Sequence, residues 1–359
     1  MRKLNKTLTL SLAGALFVGG ISNAGTLEEL KQLLNQQQVD INIALTGDYI
    51  YTANRDDTIV VNGVKESNYE DVFGYNAYIG LFKEATQQSP FGFGLGIGND
   101  WAPVVGKEPL PSNDNQVKVH EAYVEAKLAY FDIKAGRILT NIGGEAPFSW
   151  QNVNIQRGLL WNGEPVFYNG VRISAEYGQF SGYIGVNDRD TSDGKMALEA
   201  GVSTSLPYKV DASFNVLLPD SKDETNTRVY NLTLNIGYIE KLPITFYVDY
   251  LDRPQPGDNA QSWGAALLGE YKVNEKISIG GRVEYVNNDG DGDNYDIGKG
   301  NNAVTFTITP KYQFNKYLYI RGEASYVKLD NKYYQKKAND PNSKTDNEFR
   351  LAAEIGFVF

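Results

Sequence analysis

The 359-residue chain has no cysteine, one histidine and, past residue 24, no apolar run near the roughly 20 residues a membrane-spanning helix requires. The missing thiols exclude a disulfide framework, an iron–sulfur site and a cysteine nucleophile. The missing apolar run excludes a helical inner-membrane protein. Positive charge is also scarce, with 34 Lys and Arg against 44 Asp and Glu and a formal net charge of -10. Such a chain repels a phosphate backbone, so nucleic acid is not an expected partner.

What is present begins with an export signal. Arg2, Lys3 and Lys6 form a basic start, Leu8 to Gly20 an apolar stretch, and Ser22-Asn23-Ala24 a small-residue cleavage site. Residues 1–24 therefore read as a signal peptide, whose removal takes the net charge from -10 to -13. Residues 25–38 read as a periplasmic helix, with Thr26 and Glu29 as a capping box and Leu27, Leu30 and Leu34 as one stripe.

From Val39 to the last residue the pattern has period two. Sixteen alternating segments emerge, such as Phe91, Phe93, Leu95 and Ile97 facing one way with Gly92, Gly94, Gly96 and Gly98 facing the other. A frame change near Glu121 predicts a bulge. Short connections, such as Tyr177-Gly178-Gln179, alternate strictly with long polar ones. A soluble sandwich would use strands of about 5 to 6 residues, whereas these apolar faces run for about the 9 to 11 that cross a bilayer at a tilt. Residues 39–359 are thus expected to form an all-β, transmembrane, antiparallel up-and-down barrel of about 16 strands in the bacterial outer membrane, its closure leaving no unpaired edge in lipid.

The longest irregular stretch, residues 139–166, follows the fifth strand, and a loop of that length is rarely filler. It is expected to fold inward as a constriction against the glycine strip. Its Glu145, Arg157 and Glu164 would then meet Lys134, Arg137 and Arg172 in a mixed-charge collar. Alternation places Arg282, Arg321, Arg350, Glu176, Glu284 and Glu323 along the pore lining. Acidic inward positions outnumber basic ones overall, which predicts mild cation preference.

Other chemistry is weak. His120 has no persuasive triad partner and reads as a lumenal or rim residue. Asp289, Asp291, Asp293 and Asp296 miss the EF-hand spacing, with Asn294 sixth and Gly300 twelfth. They read as a solvated acidic loop sharing divalent ions with lipopolysaccharide. No metal site, cofactor or catalytic residue is expected.

Gly136-Arg137, Gly143-Gly144-Glu145, Pro165, Asn169-Gly170-Val171 and Gly185-Val186-Asn187-Asp188 resemble the pattern of the OmpL-like outer-membrane β-barrel porin family. The overall architecture is similar to that of the 16-stranded general diffusion porins of Gram-negative bacteria. The resemblance implies passive diffusion of small hydrophilic solutes and ions, a homotrimer, and contact with outer-membrane lipid and lipopolysaccharide. It also implies that the barrel-insertion machinery reads a C-terminal aromatic signal, here Phe357 and Phe359. The chain departs from general porins in placing Arg157 beside the two loop acids and in lacking an arginine ladder on its early strands. A substrate-specific channel for a sugar or small organic ion, using Trp150, Trp161 and Tyr168, and a structural or adhesive barrel without conductance stand as alternatives.

Overall fold

The computed structural model describes residues 24–55, 60–61, 64–65, 71–99, 101–107, 109, 117–189, 195–220, 227–255, 258–289, 292–337 and 340–359. The export signal and Asp291 lie outside them, apart from Ala24. One helix, α1 (Ala24–Asn35), precedes the barrel. It begins two residues before Thr26, so Thr26 sits inside the helix and does not cap it.

Among the described residues sixteen strands close into one antiparallel barrel. They are β1 (Asp40–Thr52), β2 (Asp71–Lys83), β3 (Phe91–Gly98), β4 (Lys118–Leu128), β5 (Phe131–Leu139), β6 (Phe167–Tyr177), β7 (Phe180–Asn187) and β8 (Ala197–Leu206). The second half comprises β9 (Val210–Pro219), β10 (Arg228–Ile236), β11 (Ile244–Gln255), β12 (Asp258–Lys272), β13 (Ile277–Asp289), β14 (Asn302–Gln313), β15 (Leu318–Leu329) and β16 (Asn347–Val358). Each strand pairs with its chain neighbours, and β1 closes the cylinder on β16, with Ala44 opposite Val358 and Thr52 opposite Arg350. Two small hairpins, Val60–Val61 with Val64–Lys65 and Tyr334–Lys337 with Asp340–Thr345, lie in the long loops.

Alternation fixes the two faces. Phe91 is 72% exposed on the outer surface while Gly92, Gly94 and Gly96 are buried inside. The predicted bulge is at His120: Gly96 pairs with Glu121 and Ile97 with Val119, so His120 is the extra residue. An outer surface carrying Phe73, Phe91, Val124, Leu198, Ile308 and Ile355 exposed in every direction is stable only in lipid.

The short turns, both termini and α1 share one rim. Lys316 donates to Glu28 of α1, and Lys31 lies 4.8 Å above the Phe359 ring. Phe359 N–H donates to Ile43 O at 2.8 Å and Ile43 N–H to Phe359 O at 3.0 Å. Phe359 is accordingly buried, whereas its alternation partner Phe357 stays half-exposed on the outside.

The interior is unusual in that its largest fully buried side chains are arginines, namely Arg157, Arg282 and Arg350. Buried charge is tolerated only when paired and hydrogen-bonded. The question is what these guanidiniums hold.

Candidate functional site

They hold the long insert, residues 139–166, which contains two short 3-10 turns, Ser149–Gln151 and Leu160–Gly163. Three arginines on the β13–β16 wall donate to its oxygens. Arg282 Nη1 reaches Gln156 O at 2.7 Å, Arg321 reaches Asn152 O and Ser149 O at 2.8 Å each, and Arg350 Nη1 reaches Gln156 Oε1 at 2.9 Å. Two glutamates between them accept its amides. Glu323 takes Ile155 N–H at 2.5 Å and Gln156 Nε2 at 2.9 Å, and Glu284 takes Leu159 N–H at 3.2 Å. Donors and acceptors on the wall alternate as the polar groups of the insert do, so a backbone crossing the lumen finds the partners that burial demands. The guanidiniums are in turn neutralised: Arg282 by Glu284 (3.2 Å) and Glu145 (2.7 Å), Arg321 by Glu354 (2.7 Å) and Arg350 by Glu348 (2.8 Å).

The loop after β3 adds a second brace. Val104 and Arg157 form a parallel bridge, with Val105 N–H donating to Arg157 O at 3.0 Å and Arg157 N–H to Pro103 O at 2.9 Å. Above it, Val105, Leu159, Leu160, Tyr295, Ile297 and Tyr334 pack with inward residues of β8–β15 into one apolar core. The long-loop end of the barrel is filled on that side.

The glycine motif that opens the insert provides clearance. Gly143 has φ +101°, and a Cβ there would stand 2.1 Å from a carboxylate oxygen of Glu164. Gly144 faces the Tyr247 ring just as closely, and Glu145 leads to Arg282. Further on, Gly185 leaves room for the Glu199 carboxylate, while Asp188 accepts Asn169 N–H at 2.9 Å and Asn169 Nδ2 at 2.7 Å.

These positions correct several expectations. Arg282, Arg321, Arg350, Glu284 and Glu323 are 4% exposed or less and fasten the insert, so they do not line water. Arg157 is fully buried and donates to Pro147 O, folding the insert on itself, with Trp161 5.5 Å from its guanidinium. Glu145 meets Arg282, not a basic residue of the stems. Arg137 alternates outward with Ile133 and Ala135, donates to Val119 O at 3.1 Å and sits 5.6 Å over the Phe167 ring. No collar joins the six residues. The glycine strip receives the Tyr123 and Tyr78 rings, not the insert. Phe148 of the insert then packs on Tyr78 at 4.8 Å and stacks on Trp150 at 4.5 Å. His120 is a packed core histidine, 5.0 Å from Phe148 and with Nε2 3.2 Å from Asn99 O. Asp293 is likewise no free surface acid, since it accepts Ile297 N–H at 2.8 Å and Asn288 Nδ2 at 2.7 Å.

The opposite wall differs. A polar cavity of ≈ 370 Å³ is bounded by β4–β9, among others by Glu125, Lys134, Arg172, Glu176, Tyr183 and Ser203. A second hollow of ≈ 300 Å³ at Glu176, Ser181, Ser205 and Asp211 continues it toward the short-turn rim. Lys134 rests 4.3 Å over the Tyr123 ring. Arg172 bonds Glu199 Oε1 at 2.9 Å and Leu139 O at 3.1 Å, and Tyr168 donates to the same glutamate. Of the six collar residues, Lys134 and Arg172 thus face the cavity. Tyr183, Asn215 and Ser203 were missed as site residues, although their inward phase was readable from alternation.

A closed barrel with a lipid-facing exterior, an inward-folded third long loop and a polar hollow beside it defines the outer-membrane porin class. Residues 38–359 match the family described as "Putative beta-barrel porin-2, OmpL-like", and the chain belongs to it; it is a protein of the bacterial outer membrane. Among solved structures it is similar to the outer membrane channel DcaP of Acinetobacter baumannii, at 14% identity over 89% of this chain and 97% of that one, TM-score 0.59. Pseudomonas putida OprB matches at 12% identity over 93% and 97%, TM-score 0.60. The trimer form of in-vitro folded OmpT of Vibrio cholerae matches at 13% over 89% and 99%, TM-score 0.59. At these identities the likeness concerns the fold. Comparison with curated proteins gives no match.

Proposed function

We propose that the chain is a general porin in which small hydrophilic solutes and ions diffuse passively along the β4–β9 wall, past an insert that narrows the lumen from the β13–β16 side. The observation that carries this reading is the one-sidedness of the interior: the insert is hydrogen-bonded to one wall, and the polar hollow lies along the other. A sugar-specific channel is less favoured, because its candidate aromatics are engaged in packing. Trp150 stacks on Phe148, Trp161 lies under Arg157, and Tyr168 is fully buried against Glu199. Among the charges at the cavity, Arg172 is paired with Glu199 and Lys127 with Asp132 (2.7 Å), leaving Glu125 and Glu176 against Lys134. That balance supports mild cation preference. A homotrimer is the expected assembly, by likeness to the trimeric barrel fold, and light scattering of the purified protein in detergent checks it.

Single-channel recording tests the central claim. Deleting Ala146 to Asn162 should raise conductance and admit larger sugars. Unchanged conductance would place the insert outside the path, and no conductance in the native chain would replace the porin reading with a structural surface barrel.

A further inference from the structure

The alternate glycines of β3 leave room for a ring whose use the pore does not yet explain. Tyr123 on β4 stands opposite Gly94 of β3 and opposite Gly136 of β5, so bare backbone flanks it on both sides. A Cβ at Gly94 would lie 2.3 Å from the Tyr123 ring, which therefore rests along the wall. Residues two apart on a strand share a face, so Glu121 and Glu125 bracket the ring on the inward side of β4. All three side chains are half-buried.

A cation of the chain itself already sits on this ring. Lys134 of β5 is directly opposite Glu125 in register, where a cross-strand ion pair forms readily. Its Nζ turns instead to the Tyr123 ring, 4.3 Å from the centroid, and among the described residues it forms no ion pair. The electron-rich face of an aromatic ring attracts an ammonium, and more strongly where water is partly excluded. Glu121 and Glu125 form no ion pair among the described residues either, so two carboxylates surround a single ammonium. The neighbouring charges cancel each other, Lys127 with Asp132 and Arg172 with Glu199, and leave the ring and its two acids short of positive charge.

We propose that Tyr123, Glu121 and Glu125 form a subsite for alkylammonium solutes, with Lys134 as a built-in occupant that an incoming amine displaces from the ring. Glu125 and Lys134 border the ≈ 370 Å³ cavity, so a solute on the β4–β9 path arrives beside them. The displaced Lys134 retains Glu125 opposite it, and the amine takes the ring face and Glu121. Because one ammonium replaces another, retention stays loose, and a channel conducts only if what binds can also leave. The inference names a solute class for the pore and rests on the porin reading.

The test uses the full mature chain, with n-butylammonium chloride as the probe and n-butanol as its uncharged counterpart. In planar bilayers the amine should reduce the KCl current saturably, and n-butanol should not. Saturation-transfer NMR on the protein in detergent reads binding of the same probe without conduction. By both measurements Tyr123→Phe, which keeps the ring, should match the native chain, whereas Tyr123→Leu and Glu125→Gln should weaken binding several-fold. Lys134→Met, which removes the occupant, should strengthen it several-fold. Heat-modifiable gel migration identifies a variant that fails to fold; Tyr123→Phe and Lys134→Met, which leave the ring over Gly94, then decide the matter. No saturable amine binding, unchanged binding in folded Tyr123→Leu, weaker binding in Lys134→Met, or an equal effect of n-butanol overturns the proposal. Binding without loss of current in a conducting chain also overturns it, because the ring would then lie off the path. A chain that binds the amine in the expected order yet never conducts keeps the subsite and loses the porin reading.

Discussion

The wall from β13 to β16 and the wall from β4 to β9 follow one alternation and carry similar inward charges, yet they do opposite things. On the first, arginine and glutamate are buried and consumed by the insert. On the second, Lys134 and Glu176 keep their water. An inward charge is therefore not a pore charge until what lies opposite it is known. Its surroundings set the cost of removing it, because a buried ion pair that loses one member leaves an uncompensated charge.

The comparison can be broken hardest at Arg282. Arg282→Ala strands Glu145 and Glu284, so a loss of about 3–5 kcal/mol is expected; the checks are a lowered unfolding temperature and a flickering single-channel trace. Glu176→Gln, on the open wall, should stay within about 0.5 kcal/mol. Equal losses in the two would erase the distinction.

Gly143→Ala comes next. Its positive φ and the Glu164 carboxylate both oppose a Cβ, with backbone strain of about 1–3 kcal/mol, and a displaced stem should show as higher conductance than in the native chain. A smaller effect on conduction is expected from Arg172→Gln, which leaves the buried Glu199 with the Tyr168 hydroxyl but without its guanidinium beside the cavity. Reversal potentials in a salt gradient should move toward greater cation selectivity, and a shift toward anions would show that the path runs elsewhere.

The smallest effect concerns pH. Burial first, and Asp249 beside it second, hold the Glu164 carboxyl well above the usual carboxylate range. The folded chain then keeps a proton that the unfolded chain releases, so stability falls as pH rises from the ordinary value of 4.5 toward the raised one. Thermal unfolding should show this downward slope, and Glu164→Gln should flatten it.

Strand positions were legible because alternation is local. β6 and β7 fall where the pattern puts them, and even the His120 bulge left a readable change of phase. The glycines of the insert were visible as a motif, but their reason was not. Gly143 answers to Glu164, and Gly144 to Tyr247 about a hundred residues away. Arg137 was expected in the collar although its odd spacing from the inward Lys134 puts it on the outer face, whereas nothing near Arg157 in sequence signals that it folds the insert on itself.

The sequence by itself determined a sixteen-stranded barrel with one long insert after its fifth strand, since side-chain period and turn length are properties of neighbouring residues. Only the tertiary structure decided which wall the insert would occupy and which charges would remain in water. Those choices rest on contacts such as Arg321 with Ser149, 172 residues apart, whose partners are set by the closure of the cylinder and the need to pair every buried polar group.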